Sequence, residues 1–153
     1  MSKNQRLFHC SPAAVFRVIS NGWLYPSWVV GASRMRQVDP AWPAEGAQLH
    51  HSFGTWPVLI DDVTTVVKFV PDELIMVRAK GWPAGEADVI IEATPAPGGC
   101  TVSLYEDAVK GPGTLVPGVV RHPMLKWRNV ETLRRLAFIA EGESGHTSPD
   151  AQD

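Results

Sequence analysis

The feature that most constrains the fold is a change in the spacing of apolar residues along the chain. Between residues 32 and 109, apolar and polar residues alternate with a period of two, and turn residues interrupt the alternation at intervals. This pattern is typical of antiparallel strands. Before and after this stretch the spacing is helical. The order predicts an α+β domain in which helices cover one antiparallel sheet.

The period-two stretch divides into six predicted strands, and a short extended run ending at Leu7–His9 supplies a seventh. Gly and Pro residues mark the turns between them. The six strands are predicted near Ser33–Val38, Ala47–Phe53, Leu59–Val70, Leu74–Lys80, Glu86–Thr94 and Thr101–Val109.

Two short helices are predicted after the first strand. Ser11 is placed as the N-cap of the first of them, with Pro12 at the first helical position, where a missing N–H costs nothing. Asn21 and Gly22 end this helix, and a second, aromatic helical turn follows around Trp28.

A long helix is predicted at the C-terminal end, from about Arg121 to Ala140. Such a helix is large enough to cover the concave face of a twisted sheet. We expect its apolar stripe to face the sheet, which would make Trp127 the best candidate of the helix for a pocket wall. The stripe consists of Val120, Met124, Trp127, Val130, Leu133, Ala137 and Ala140.

The length of 153 residues fits one domain, which we place at residues 1–141. Residues 142–153 are rich in Gly, Ser, Pro and acidic residues, so a frayed tail is predicted there. A hydrophobic fraction of 44% and a charged fraction of 20% are typical of a globular protein.

Several functional classes are disfavoured by charge and composition. The net charge of -2, with Lys and Arg spread along the chain, gives no footprint for nucleic acid. No apolar run is long enough to insert into a membrane, and the N-terminus lacks a secretory pattern, so we expect a cytoplasmic protein. Cys10 and Cys100 are read as reduced structural thiols, and no metal or other cofactor is predicted.

Strand, two short helices, six strands and a long helix, with Ser11-Pro12-x-x-Val15-Phe16 near the start, resemble the START-like helix-grip superfamily. Other features that carry the resemblance are Trp28, the segment 42–57, the segment 105–108 and Gly111-Pro112. The resemblance implies a curved sheet of about seven strands wrapped on the long helix, with an internal cavity. The superfamily includes polyketide cyclases and dehydrases, lipid carriers, plant hormone and allergen-type binders and chaperone activators, so it implies a fold more firmly than a function.

Strand parity selects the polar side chains that face the cavity. On the predicted strand 47–53, His51 shares a face with Leu49 and Phe53, whereas His50 points the other way. Glu106 shares a face with Val102 and Leu104. We expect Glu106 to pair with the long helix, through Arg121 or Arg128, or to act with His51 as an acid/base pair.

Two further patterns are rejected because neighbouring residues on a strand point to opposite faces. His50 and His51 therefore cannot bind one metal ion, and Asp61 and Asp62 cannot form a paired-acid site. Aromatic and aliphatic residues complete the predicted ligand site. The full set of ligand-binding candidates is Trp28, Leu49, Phe53, Trp56, Val102, Leu104, Met124 and Trp127.

Three functional readings stay open. The first is binding or carriage of a small apolar or aromatic molecule in the cavity, by a monomer or a homodimer. The second is a cyclase, aromatase or dehydratase that uses His51 and Glu106. The third is a protein-interaction module, such as a chaperone activator or toxin–antitoxin relative, which should have a filled interior and an exposed apolar patch.

Overall fold

A computed structural model describes residues 2–55, 57–81, 85–115 and 117–145 of the chain. Within these residues there are seven strands, three α-helices and two single 3-10 turns, at Gly22–Leu24 and Pro112–Leu115. The strands are β1 (Ser2–Phe8), β2 (Ala32–Val38), β3 (Gln48–Thr55), β4 (Val58–Val70), β5 (Leu74–Gly81), β6 (Gly85–Ala96) and β7 (Gly99–Lys110). The helices are α1 (Pro12–Ser20), α2 (Tyr25–Trp28) and α3 (Gly118–Gly145).

The strands form one sheet in the order β1-β7-β6-β5-β4-β3-β2, and every neighbouring pair is antiparallel. Strands β2 to β7 follow one another as a meander. The first strand of the chain, β1, pairs with the last, β7, and forms one edge of the sheet. The predicted α+β helix-grip architecture is confirmed, and the strand boundaries agree with the prediction to within about two residues.

The first helix begins where the sequence indicated. The Ser11 hydroxyl oxygen accepts a hydrogen bond from the backbone N–H of Ala14 at 3.2 Å, and Pro12 occupies the first turn. This cap satisfies a donor that the helix itself leaves unpaired. Val15 and Val18, on the inner face of α1, are completely buried.

The inner face of α3 differs from the predicted stripe. Leu133, Ala137 and Ala140 are buried as expected, but Trp127 and Met124 are each 68% exposed. The predicted orientation of Trp127 toward the sheet is therefore wrong. The inward-facing residues of the helix that are buried are Asn129, Thr132, Leu133, Leu136, Ala137 and Ala140.

The error has a physical cause. The predicted stripe runs back from Leu133 to Val130 and Trp127 in steps of three residues. Each step is shorter than the 3.6 residues of a helical turn, so the stripe turns away from the buried face. The true inner positions carry polar residues that hydrogen-bond. Asn129 Nδ2 donates to the Ser2 hydroxyl at 3.3 Å, and Thr132 Oγ1 accepts from the Val30 N–H at 3.3 Å. Because these buried positions are polar, a pattern of apolar residues does not identify the buried face of α3.

Helix α3 also extends beyond its predicted limits. It runs from Gly118 to Gly145, so residues 142–145 are helical rather than part of a frayed tail, and residues 146–153 lie outside the described part of the chain. The carboxylate of Glu141 accepts a hydrogen bond from the backbone N–H of His9 at 2.9 Å. This contact ties the last turns of the helix to the end of β1. No helix among the described residues has the length and apolar character needed to cross a bilayer.

One end of the domain is closely packed. Here the second half of α3 lies against α1 and β1, and Phe8, Leu49, Val102 and Leu136 are all buried to within 2% of complete burial. At the other end, the described side chains of α3 before Asn129 are exposed or half-buried, and the helix makes few contacts with strands other than β1. The helix therefore closes one end of the curved sheet and leaves a space at the other.

The two faces of α3 give a prediction about stability. Replacing the buried Leu136 by Ala should lower the free energy of unfolding by about 2–5 kcal/mol, because it leaves a cavity in the packed end. Phe138→Ala should change it by less than about 0.5 kcal/mol, because that ring is exposed. Urea unfolding followed by circular dichroism measures both, and an equal loss would show that this assignment of the helix faces is wrong.

Candidate functional site

A cavity of about 440 Å³ lies between the concave face of the sheet, helix α2 and the first half of α3. Its walls are mostly apolar. Side chains of Val77, Ala79, Val89, Ile91, Leu104 and Ala108 form the sheet side of the cavity. Met124 lines the cavity although it is 68% exposed, so the cavity reaches the surface beside the first turns of α3.

The structure brings six of the predicted site residues to this cavity. His51 and Phe53 reach it from β3, Leu104 and Glu106 from β7, Trp28 from α2 and Met124 from α3. Strand parity placed the four strand residues correctly, because alternate residues of a strand face opposite sides of a sheet. Their roles in binding or catalysis stay predictions.

The other four predicted residues are not on the described cavity wall. Leu49 and Val102 face the interior but lie in the closely packed end, where both are fully buried. Trp127 points outward from α3, and Trp56 lies outside the described residues. Parity gives the face of a strand residue, but it does not give the position along the strand at which helix and sheet separate.

A group of buried polar side chains surrounds His51. Its Nε2 atom lies 2.9 Å from the Thr64 hydroxyl oxygen and 3.9 Å from Asp62 Oδ2. The ring of Tyr25 packs against the imidazole, with 5.1 Å between ring centroids. His51, Asp62 and Tyr25 all line the cavity, and Asp62 is only 4% exposed.

Asp62 is a cavity residue that the sequence analysis missed. The parity argument that excludes a paired-acid site at Asp61 and Asp62 also places Asp62 on the inner face, with Ile60 and Thr64. The available signal was the alternation along β4, in which one acidic residue must face inward. Asp61 lies on the outer face, where its carboxylate accepts from Ser52 and pairs with Arg36.

Burial shifts the pKa values of this group. Desolvation raises the pKa of Asp62 to about 6 and lowers the pKa of His51 to about 4. It also raises the pKa of Tyr25. At neutral pH His51 is therefore neutral, Asp62 is mostly ionised, and a small change of pH toward 6 protonates a growing fraction of Asp62.

Glu106 has a different partner. Its Oε1 atom accepts a hydrogen bond from Arg128 Nη2 of α3, which confirms the expected pairing with the long helix. Glu106 is 6% exposed, so the guanidinium compensates a carboxylate that is removed from water. The pair also joins the first half of α3 to β7 across the cavity wall.

His51 and Glu106 share the cavity but belong to separate groups. Strands β3 and β7 have three other strands between them, which corresponds to roughly 19 Å along the sheet at a spacing of about 4.8 Å per strand. His51 contacts Thr64, Asp62 and Tyr25, whereas Glu106 contacts Arg128. These contacts do not make them a hydrogen-bonded acid/base pair in this structure.

Three buried side-chain atoms have no hydrogen-bond partner among the described residues, and all three belong to cavity-lining residues. They are Trp28 Nε1, His51 Nδ1 and Glu106 Oε2. Buried polar atoms are usually paired, so an unpaired one calls for a partner that the protein does not supply, such as a water molecule, an ion or a ligand. Within the same described residues, no group of three His, Cys, Asp or Glu side chains is arranged to hold a metal ion.

The ring of Phe53 is held in the cavity wall by a close approach to Gly31. Gly31 has a φ of +100°, and a Cβ atom built there would lie 2.4 Å from Phe53 Cζ. A side chain at this position would therefore force the ring to move as well as strain the backbone.

This arrangement of a curved sheet, a gripped helix and an intervening cavity is the helix-grip fold. No protein-family model and no curated protein sequence matches the chain.

Solved structures show the similarity in detail. The di-domain ARO/CYC StfQ from the steffimycin biosynthetic pathway matches with a TM-score of 0.73 and 14% identity over 94% of this chain and 51% of that one. The protein of unknown function SA2116 from Staphylococcus aureus has a TM-score of 0.72 and 13% identity over 95% of each chain. Ara h 8.0201 has a TM-score of 0.67 and 10% identity over 91% of this chain and 95% of its own. At these identities the matches show a common fold.

The shifted pKa values predict opposite effects of pH on stability. Asp62 titrates at about 6 when folded and ordinarily near 3.8, so its contribution to stability falls as the pH rises from 4 to 6. His51 titrates at about 4 when folded and ordinarily near 6.5, so its contribution rises as the pH rises from 4 to 6.5. In the wild-type protein the two contributions oppose each other.

Single variants should separate the contributions of Asp62 and His51 to the pH dependence of stability. Asp62→Asn should make stability rise more steeply with pH between 4 and 6.5 than in the wild type, and His51→Gln should make it fall, each on the order of 1–3 kcal/mol. Urea unfolding at several pH values measures the slopes. Asp61→Asn, on the outer face, is the matched control and should follow the wild-type slope. Equal slopes in all four proteins would contradict this assignment.

Proposed function

We propose that the domain binds a small apolar or aromatic molecule in the internal cavity. The observation that supports this most directly is the cavity itself, which has a volume of about 440 Å³ in a domain whose other end is closely packed. Ligand sites of proteins are typically cavities of this size, with mostly apolar walls and a few polar groups. The cavity has this composition.

The interior argues against the third reading of the sequence. A protein-interaction module was expected to have a filled interior, whereas this domain has a cavity open beside α3. Among the exposed apolar residues of α3, Met124 lines the cavity, whereas Trp127, Val130 and Phe138 are not part of its wall. The exposure of Met124 is therefore consistent with a route for a ligand.

The proposal can be tested by filling the cavity. Ala108→Trp should place an indole in the space and weaken the binding of 1-anilinonaphthalene-8-sulfonate by about tenfold or more, since probe and indole compete for one volume. Fluorescence titration gives the dissociation constants. Native mass spectrometry of both proteins, purified alike, should show a co-purified small molecule in the wild type that the variant lacks.

The control is Val109→Trp, at the next residue of β7. Val109 is 40% exposed and points to the opposite face of the strand, so this variant should bind the probe as the wild type does. Equal binding by all three proteins would show that the probe does not use the cavity, and the proposal would then be abandoned.

A second candidate function is proton-transfer catalysis, as in cyclisation or dehydration of a carbonyl compound. One observation favours it: Asp62 is buried in the cavity wall beside His51, with a pKa of about 6. A carboxylate with a pKa near the working pH is suited to act as a general base. In this reading Asp62 joins His51 and Glu106 as a candidate for catalysis.

The test uses a simple ketone in heavy water. We expect Asp62 to take a proton from the methyl group of 2-acetylnaphthalene, leaving an enolate that takes up a deuteron from solvent. Proton NMR measures the exchange rate, which should rise as the pH increases through about 6 because the ionised carboxylate is the base. Asp62→Asn should slow the exchange by about 100-fold or more. Asp61→Asn should leave it unchanged, and exchange no faster than in buffer would rule out this activity.

A further inference from the structure

The unpaired atoms of Trp28 and Glu106 need opposite kinds of hydrogen-bond partner. An indole N–H only donates, so the partner of Trp28 Nε1 must be an acceptor. A carboxylate oxygen beside a guanidinium accepts, so the partner of Glu106 Oε2 must be a donor. His51 Nδ1 accepts or donates according to its tautomer, so it adds no constraint of its own.

A second buried tryptophan, Trp42, provides a comparison within the chain. Trp42 is also buried, but its Nε1 donates to the carbonyl oxygen of Ile19 at 3.1 Å. Trp28 is buried to 4% exposure and has no such partner among the described residues. Both rings belong to the buried core, but Trp28 also lines the cavity and Trp42 does not.

Trp28 and Glu106 belong to the wall of the same cavity. Both line the cavity, and Tyr25, three residues before Trp28, is close enough to Glu106 and Arg128 for their charges to act on its hydroxyl group. The rings of Tyr25 and Trp28 pack with 5.5 Å between their centroids, so Tyr25 connects Trp28 to the side of the cavity where Glu106 lies. Arg128 already balances the charge of Glu106, so the donor of a molecule in the cavity needs no positive charge.

We infer that the ligand is a neutral apolar molecule with a hydroxyl or N–H group that donates to Glu106 Oε2 and a carbonyl-type oxygen that accepts from Trp28 Nε1. This inference rests on the proposed function, since it assumes that the cavity binds a ligand. It adds two orienting residues and a ligand class, hydroxylated ring compounds that also carry a carbonyl group. A ligand with only one of the two groups leaves a buried polar atom unpaired and binds more weakly.

The test compares three naphthalenes of similar size with the wild-type protein. They are 2-acetyl-6-hydroxynaphthalene, which has both groups, 2-acetyl-6-methoxynaphthalene, which lacks the donor, and 2-ethyl-6-hydroxynaphthalene, which lacks the carbonyl acceptor. Fluorescence titration gives the dissociation constants. We expect the first compound to bind about tenfold or more tightly than either of the others.

Variants assign the preference to atoms. Glu106→Gln should reduce the preference for the hydroxyl compound over the methoxy compound to less than about threefold, and Trp28→Phe should do the same for acetyl over ethyl. Trp42→Phe, in which a paired indole is removed from the core, is the control and should keep both preferences. The comparison of ligands in the wild type decides the question even where a variant does not fold.

The two proposals fail in different ways. If the three compounds bind the wild-type protein with similar affinity, the cavity binds apolar molecules but the inferred pattern of donor and acceptor is wrong. If none of them binds and 1-anilinonaphthalene-8-sulfonate does not bind either, the proposed function itself is wrong and the inference is lost with it. If the sulfonate probe binds and the naphthalenes do not, the inferred ligand class is overturned.

Discussion

The structure depends on how the second half of α3 packs against β1 and α1. Leu133, Leu136, Ala137 and Ala140 bury one side of the helix in this contact, and it fixes the direction in which the rest of the helix runs. Because the sheet curves and the helix does not follow it, the two separate toward the start of α3. The cavity lies where helix and sheet have separated, beyond the tightly packed end.

Polar groups hold the part of α3 where packing is weak. Asn129, Thr132 and Arg128 each contact a different element, namely Ser2 of β1, Val30 after α2 and Glu106 of β7. Such contacts are directional, so they position the helix without filling the space beneath it. The same region can therefore be well defined in geometry and still leave room for a ligand. Asn129, Thr132 and Arg128 also line the cavity, so the contacts that position the helix bring polar groups to the cavity wall.

Most of the fold was predictable from the sequence because periodicity and turn residues are local signals. The seven strands, the Ser11 cap and the inward directions of His51 and Glu106 all follow from spacing of a few residues. The rest depended on tertiary contacts. The face of α3 was misjudged because buried Asn129 and Thr132 have partners far away in sequence, and Leu49 was placed in the cavity because the point of helix–sheet separation leaves no local trace.

The size of the cavity depends in part on Gly31, a residue outside the cavity wall that contacts the ring of Phe53. Gly31 is not among the residues that line the cavity, yet the missing Cβ at this position decides where the phenyl ring rests. Related chains that carry a larger residue at the equivalent position must displace the ring or the loop before β2. Evolution can therefore change the dimensions of the accepted molecule through a single backbone-permissive site, while every group that contacts the molecule stays the same.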